Sequence, residues 1–108
     1  MQLKSIVVAL ALLASVGPAM ANCYEDLGCD DGRNFTRAEL APLSCKVLWE
    51  LRNAIFANNG YCFQTQRGVD AFGNKGCTVN DAAAIDLNAF ERANVDTIRD
   101  VERSRACE

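Results

Sequence analysis

The sequence predicts a mainly α-helical small domain stapled by disulfides, with two principal helices at about 45–58 and 88–105, minor helical turns and long loops. Three observations predict it. The chain opens on an apolar export-type segment, six cysteines follow that segment, and two later stretches carry their apolar residues at helical spacing. No segment alternates strongly enough to support a β-rich fold.

Residues 1–21 read as a secretory signal peptide. Lys4 precedes an apolar run from Ile6 to Val16, and Ala19-Met20-Ala21 has the small-x-small pattern of a cleavage site. Asn22 separates that site from Cys23, so the lipid-anchor arrangement, with cysteine as the first mature residue, is not met. No second hydrophobic stretch follows, so no integral membrane segment is expected after signal cleavage. The chain carries 11 basic against 14 acidic residues, a formal charge of −3, and no cluster of Lys or Arg. Non-specific adhesion to nucleic acid or to an anionic membrane therefore lacks an electrostatic basis.

Cys23, Cys29, Cys45, Cys62, Cys77 and Cys107 form an even set in a short exported chain, which reads as a disulfide framework. None of the pairs has the close spacing of a zinc site, and the chain has no histidine to complete a Cys/His set. No cofactor or metal is implied. Six cysteines permit fifteen pairings and the sequence alone does not choose among them, but geometry favours particular pairs. Cys23 and Cys29 bracket a short loop, and Cys62 and Cys77 flank a Gly-rich stretch. Cys45 opens one helix and Cys107 ends another, which antiparallel packing would bring together. A Cys45–Cys62 pair is disfavoured because a helix of about 13 residues would hold the two roughly 20 Å apart.

The elements follow in order. Residues 22–42 form an acidic, turn-rich arm; its Asp30-Asp31-Gly32 reads as an ordinary turn because the remaining ligand positions of a calcium loop are missing. Thr36 and Glu39 make a capping-box pattern for a short helix limited by Pro42. Ser44 is a suitable N-cap for Cys45 to about Asn58, with Leu48, Leu51 and Ile55 on one face and Gly60 as the stop. Thr65 caps a single short turn leading to Val69 and Phe72, and the chain from Thr78 to Asp86 reads as loop. Asn88 and Glu91 open the last helix, whose core stripe is expected at Phe90, Ala93 or Asn94, Ile98 and Val101, flanked by Val95. Its outer face offers the pairs Arg92/Asp96 and Arg99/Glu102.

LWELRNAIFANNGYCF, then FGNKGC and LNAFERANVDTIRDVERSRAC, resemble the YARHG family of small bacterial extracytoplasmic domains. The motif that names the family falls on Phe56-Ala57-Asn58-Asn59-Gly60. Ala57 and Gly60 match it, Phe56 replaces the tyrosine, and Asn58 and Asn59 replace Arg and His. The surrounding pattern follows the family more closely, at Leu48-Trp49, Arg52-Asn53, Gly60-Tyr61-Cys62-Phe63 and Gly76-Cys77. The resemblance covers about residues 43–107, so that 43–108 is expected as the YARHG-like domain. It implies a periplasmic or secreted protein with an interaction role, and brings no catalytic residues with it.

Without histidine the commonest general base is missing, and triad chemistry cannot be built. The leading expectation is a non-catalytic binding domain of the bacterial periplasm or envelope, its partner an envelope component such as peptidoglycan or a protein. Trp49, Arg52, Asn53, Tyr61 and Arg67 are the candidate ligand-binding residues. Trp49, Tyr61 and Arg52 could grip a sugar or a peptide carboxylate. The structural alternative has Arg52 paired with a carboxylate and Asn53 bonded to the loop after Gly60. A second expectation is a secreted inhibitor or effector acting through the Cys62–Cys77 loop, with Gln64, Gln66 and Arg67 exposed. A third is a carboxylate- or thiol-dependent enzyme.

Overall fold

The computed structural model describes residues 23–108, so the export signal expected over residues 1–21 lies outside the described residues. The chain opens in a hairpin of two short antiparallel strands, β1 (Cys23–Tyr24) and β2 (Gly28–Cys29), with Cys23 opposite Cys29. That register joins the two sulfurs, and the Leu27 amide donates to the Tyr24 carbonyl to close the turn. Helix α1 (Arg37–Leu40) starts at the expected capping box. Thr36 accepts from the Glu39 amide, and the Glu39 carboxylate accepts from the Thr36 amide. It ends before Pro42, having buried Leu40 completely.

Helix α2 (Cys45–Asn58) has Ser44 as its N-cap and buries Leu48, Leu51, Ile55 and Phe56. Its exit depends on Gly60, which has a φ of +89°. A Cβ there would lie 2.9 Å from the Thr78 hydroxyl, while the Gly60 carbonyl accepts from the Thr78 and Val79 amides. Tyr61 and Val79 thus form an isolated parallel bridge.

Helix α3 (Gln66–Phe72) begins at the expected cap, Thr65, but is seven residues long rather than a single turn. Its length is accommodated because Gly68 lets the Phe63 ring lie directly on the helix backbone. Asn74 then ties off the loop, its side-chain carbonyl accepting from the Phe63 amide and its NH2 donating to the Phe63 carbonyl. The segment expected as plain loop holds a 3-10 turn at Ala82–Ala84, started by Asp81 accepting from the Ala83 amide.

Helix α4 (Ala89–Ser104) has the Asn88/Glu91 capping box and packs along α2. Val95, Ile98 and Val101 enter the core as expected, and Asn94 rather than Ala93 takes the inward position. Phe90 is corrected from core to surface at 42% exposure. Glu91 is buried in its stead, because its carboxylate serves both the Asn88 amide and the Asn59 side chain. The expected surface pairs on α4 are also replaced. Arg92 donates back to the Leu87 carbonyl, and Glu102 turns inward to Arg52.

All three expected disulfides form. Cys45–Cys107 ties the start of α2 to the end of α4 at a Cα separation of 5.5 Å, and Cys62–Cys77 closes the α3 loop at 5.1 Å. Arg105 adds a hydrogen bond to the Leu43 carbonyl beside the first of these. No helix among the described residues is long and apolar enough to cross a membrane.

Candidate functional site

A hollow of about 320 Å³ opens between α2, α3 and the hairpin. On α2, Val47, Leu51 and Ala54 recur at helical spacing and line one side; Ala71 and Phe72 of α3 line it as well, and Tyr24 of β1 completes the lining. The space exists because Ala54 and Ala71 are too small to fill it. The lining is largely apolar, with Glu50 at the edge.

An aromatic chain runs beside this groove. Phe56 meets Tyr61 edge-on at 6.1 Å, Tyr61 meets Phe63 at 4.9 Å, and Phe63 stacks on Phe72 at 5.1 Å. Phe72 reaches Trp49 at 6.0 Å, and the Arg67 guanidinium sits over the Trp49 ring, 3.9 Å from its centroid. Phe72 therefore belongs to both the aromatic chain and the groove wall. Cation–π attraction holds Arg67 in place while its N–H edge keeps its hydrogen-bonding capacity.

Of the five residues expected at a site, Trp49, Tyr61 and Arg67 are brought together along this chain. Arg52 is not. It points to α4, where its Nε and Nη2 meet the two oxygens of Glu102 at 2.7 and 3.1 Å. Asn53 does not bond the loop after Gly60, as its structural reading had it; its side chain donates to the Trp49 carbonyl one turn back, at 2.9 Å. Such a bond is available to any Asn at that helical offset and needs no tertiary partner.

A buried polar cluster under the hairpin escaped the sequence reading. Asn94 is fully buried; its side-chain carbonyl accepts from the Phe35 amide, and its NH2 donates to the Asp30 and Arg33 carbonyls at 2.9 and 2.8 Å. Asp30 is fully buried too, and the Tyr24 hydroxyl donates to its Oδ2 at 3.4 Å. Burial, then the neighbouring charges of Glu91 and Asp31, push the Asp30 carboxyl up to about 7, and burial with Asp30 beside it pushes the Tyr24 hydroxyl up to about 12. An Asn in an otherwise apolar helical stripe was the available signal; its partners, about sixty residues away, were not readable.

A family model described as YARHG domain matches residues 29–103, most of the described chain. The chain belongs to the YARHG domain family. No curated protein and no solved structure matches it. In this YARHG domain the name motif is the exit of α2. Phe56 enters the core, and Asn59, where the family name has His, donates to the Ile55 carbonyl and to Glu91. Gly60 then turns the chain toward Thr78 and Val79. The motif here joins α2 to α4 and to the 78–79 segment. Family membership and three disulfides indicate a small extracellular or periplasmic domain.

Proposed function

We propose that this YARHG domain is a non-catalytic binding module of the bacterial periplasm or envelope, and that it grips an apolar, carboxylate-bearing segment of an envelope protein in the groove between α2 and α3. The observation that carries this reading is Arg67 seated over Trp49, whose ring meets the groove-lining Phe72. Arg67 forms no ion pair among the described residues, so its planar fork of donors is available to a carboxylate. The apolar walls supply the area that such a contact alone lacks. A sugar ring would need a bare aromatic face, and the guanidinium already covers one face of Trp49. This favours a protein partner over peptidoglycan.

The test is site-specific photo-crosslinking from Ala71 in the exported protein, with adducts identified by mass spectrometry. A defined envelope-protein adduct that disappears with Arg67→Glu and persists with Arg37→Glu supports the reading. Enrichment on purified sacculi over a same-charge control, without a protein adduct, transfers the function to peptidoglycan. The inhibitor or effector reading uses the same stapled loop, on which Gln64, Gln66 and Arg67 are all exposed. It is favoured if the captured protein is an enzyme whose activity falls on binding.

A further inference from the structure

The N-terminal hairpin is held to α4 at Asp30, whose backbone carbonyl accepts from Asn94 and whose carboxyl has no charge partner. Asp30 follows directly on Cys29 and is fully buried. Its backbone carbonyl is held by the Asn94 side chain, and its Oδ2 receives one long hydrogen bond from Tyr24 of β1. Its Oδ1 has no hydrogen-bond partner among the described residues. The charged groups acting on it are acidic, Glu91 from α4 and Asp31 beside it in the chain. The nearby cation, Arg33, is turned away to the Leu27 carbonyl and Glu39. An ionised carboxylate in this place is desolvated, repelled and under-bonded; a neutral carboxyl avoids the first two penalties.

We infer that Asp30 is a proton-operated latch, seating the N-terminal hairpin on α4 when neutral and loosening it when ionised. The step is simple proton release from the Asp30 carboxyl to water. Its mechanical consequence follows from the Cys23–Cys29 bridge, which ties β1 to β2, so that loosening at Asp30 loosens the strand pairing and reaches Tyr24. Tyr24 lines the groove, so unseating the hairpin changes the groove's lining. The shift of Asp30 toward 7 puts the changeover near neutrality rather than in strong acid. This inference goes beyond the binding role proposed above, and its test involves no partner.

The experiment is amide hydrogen exchange on the intact disulfide-bonded domain at pH 5.5 and 8, corrected for the intrinsic chemical rate, together with a carbon-13 titration of the Asp30 carboxyl. Protection at Leu27 and Gly32 is expected to fall by about tenfold or more at the higher pH, with Ile98 and Val101 unchanged. In Asp30→Asn the hairpin amides should stay protected at both values. Glu91→Gln should lower the Asp30 midpoint. Equal hairpin protection at both pH values in the wild type overturns the inference, as does an Asp30 midpoint near the usual carboxylate value. Since both of those readings come from the wild-type chain, the inference stays decidable even if Asp30→Asn folds poorly.

Discussion

Arg52 on α2 and Glu102 on α4 are joined at two points, and both side chains are largely withdrawn from solvent. The pair fixes the two principal helices in rotation as well as distance, since a bidentate contact has a plane. Removing one member strands the other. Glu102→Ala is expected to destabilise the fold by about 3 kcal/mol in urea unfolding. An apolar double replacement, Arg52→Met with Glu102→Leu, should be less destabilised than that single change. Arg52→Met is also expected to leave partner binding intact in whatever fraction is folded, because Arg52 faces away from the groove.

Gly68 and Phe63 give a second prediction. Ala is the better helix former by about 1 kcal/mol, which alone would favour Gly68→Ala. A Cβ at this position, however, would lie 2.6 Å from the Phe63 ring and 2.9 Å from the Phe63 Cβ. Overpacking wins, and thermal unfolding should show a net loss of about 1–3 kcal/mol. Phe63→Leu in the same chain should recover part of it.

The start of α3 shows how far local rules reach. Thr65 was legible as its cap because capping is settled within three residues. That the helix then continues to Phe72 was not legible, because Gly68 reads as a helix breaker until the Phe63 ring is seen lying on it. The same division holds for the candidate site. Trp49, Tyr61 and Arg67 stood out by residue type. Phe72, Ala54 and Ala71, which create the groove, did not, because a hollow depends on which small residues face each other.

The three disulfides should differ in weight. The loops they close span sequence separations of 62, 15 and 6 residues for Cys45–Cys107, Cys62–Cys77 and Cys23–Cys29. In the chain-entropy account the longest is worth about 4 kcal/mol and the shortest about 2 kcal/mol. Paired Cys→Ala variants measured by chemical denaturation should follow that order. The Cys23/Cys29 variant should remain folded and lose protection chiefly in the hairpin.

The pH dependence of stability has two opposing contributions. Asp30 ionises near 3.8 in the unfolded chain and near 7 in the folded one. Between those values the folded state keeps a proton that the unfolded state has released, so raising the pH favours unfolding. The loss amounts to at most about 1.4 kcal/mol per pH unit and ends above the folded value. Glu39 acts the other way. Its hydrogen bond from Arg33 and the Thr36 amide hold it below its usual value of 4.5, so its contribution is present above that value and fades in acid. Melting temperatures from pH 4.5 to 7.5 should therefore decline in the wild type, and Asp30→Asn should flatten that decline.

The sequence by itself determined where the helices start and the family of the domain, and it favoured one set of cysteine pairs without deciding it. Caps are decided by groups a few residues apart, whereas the joining of Cys45 to Cys107 needed α2 and α4 to pack antiparallel. Only the tertiary structure decided that Phe90 faces outward while Glu91 goes in, that Arg52 belongs to Glu102, and that Asp30 is buried on Asn94. Those outcomes depend on the rotation of α4 about its own axis and on where the hairpin settles. Both are set by contacts between residues fifty to sixty-four positions apart, and no local propensity encodes them.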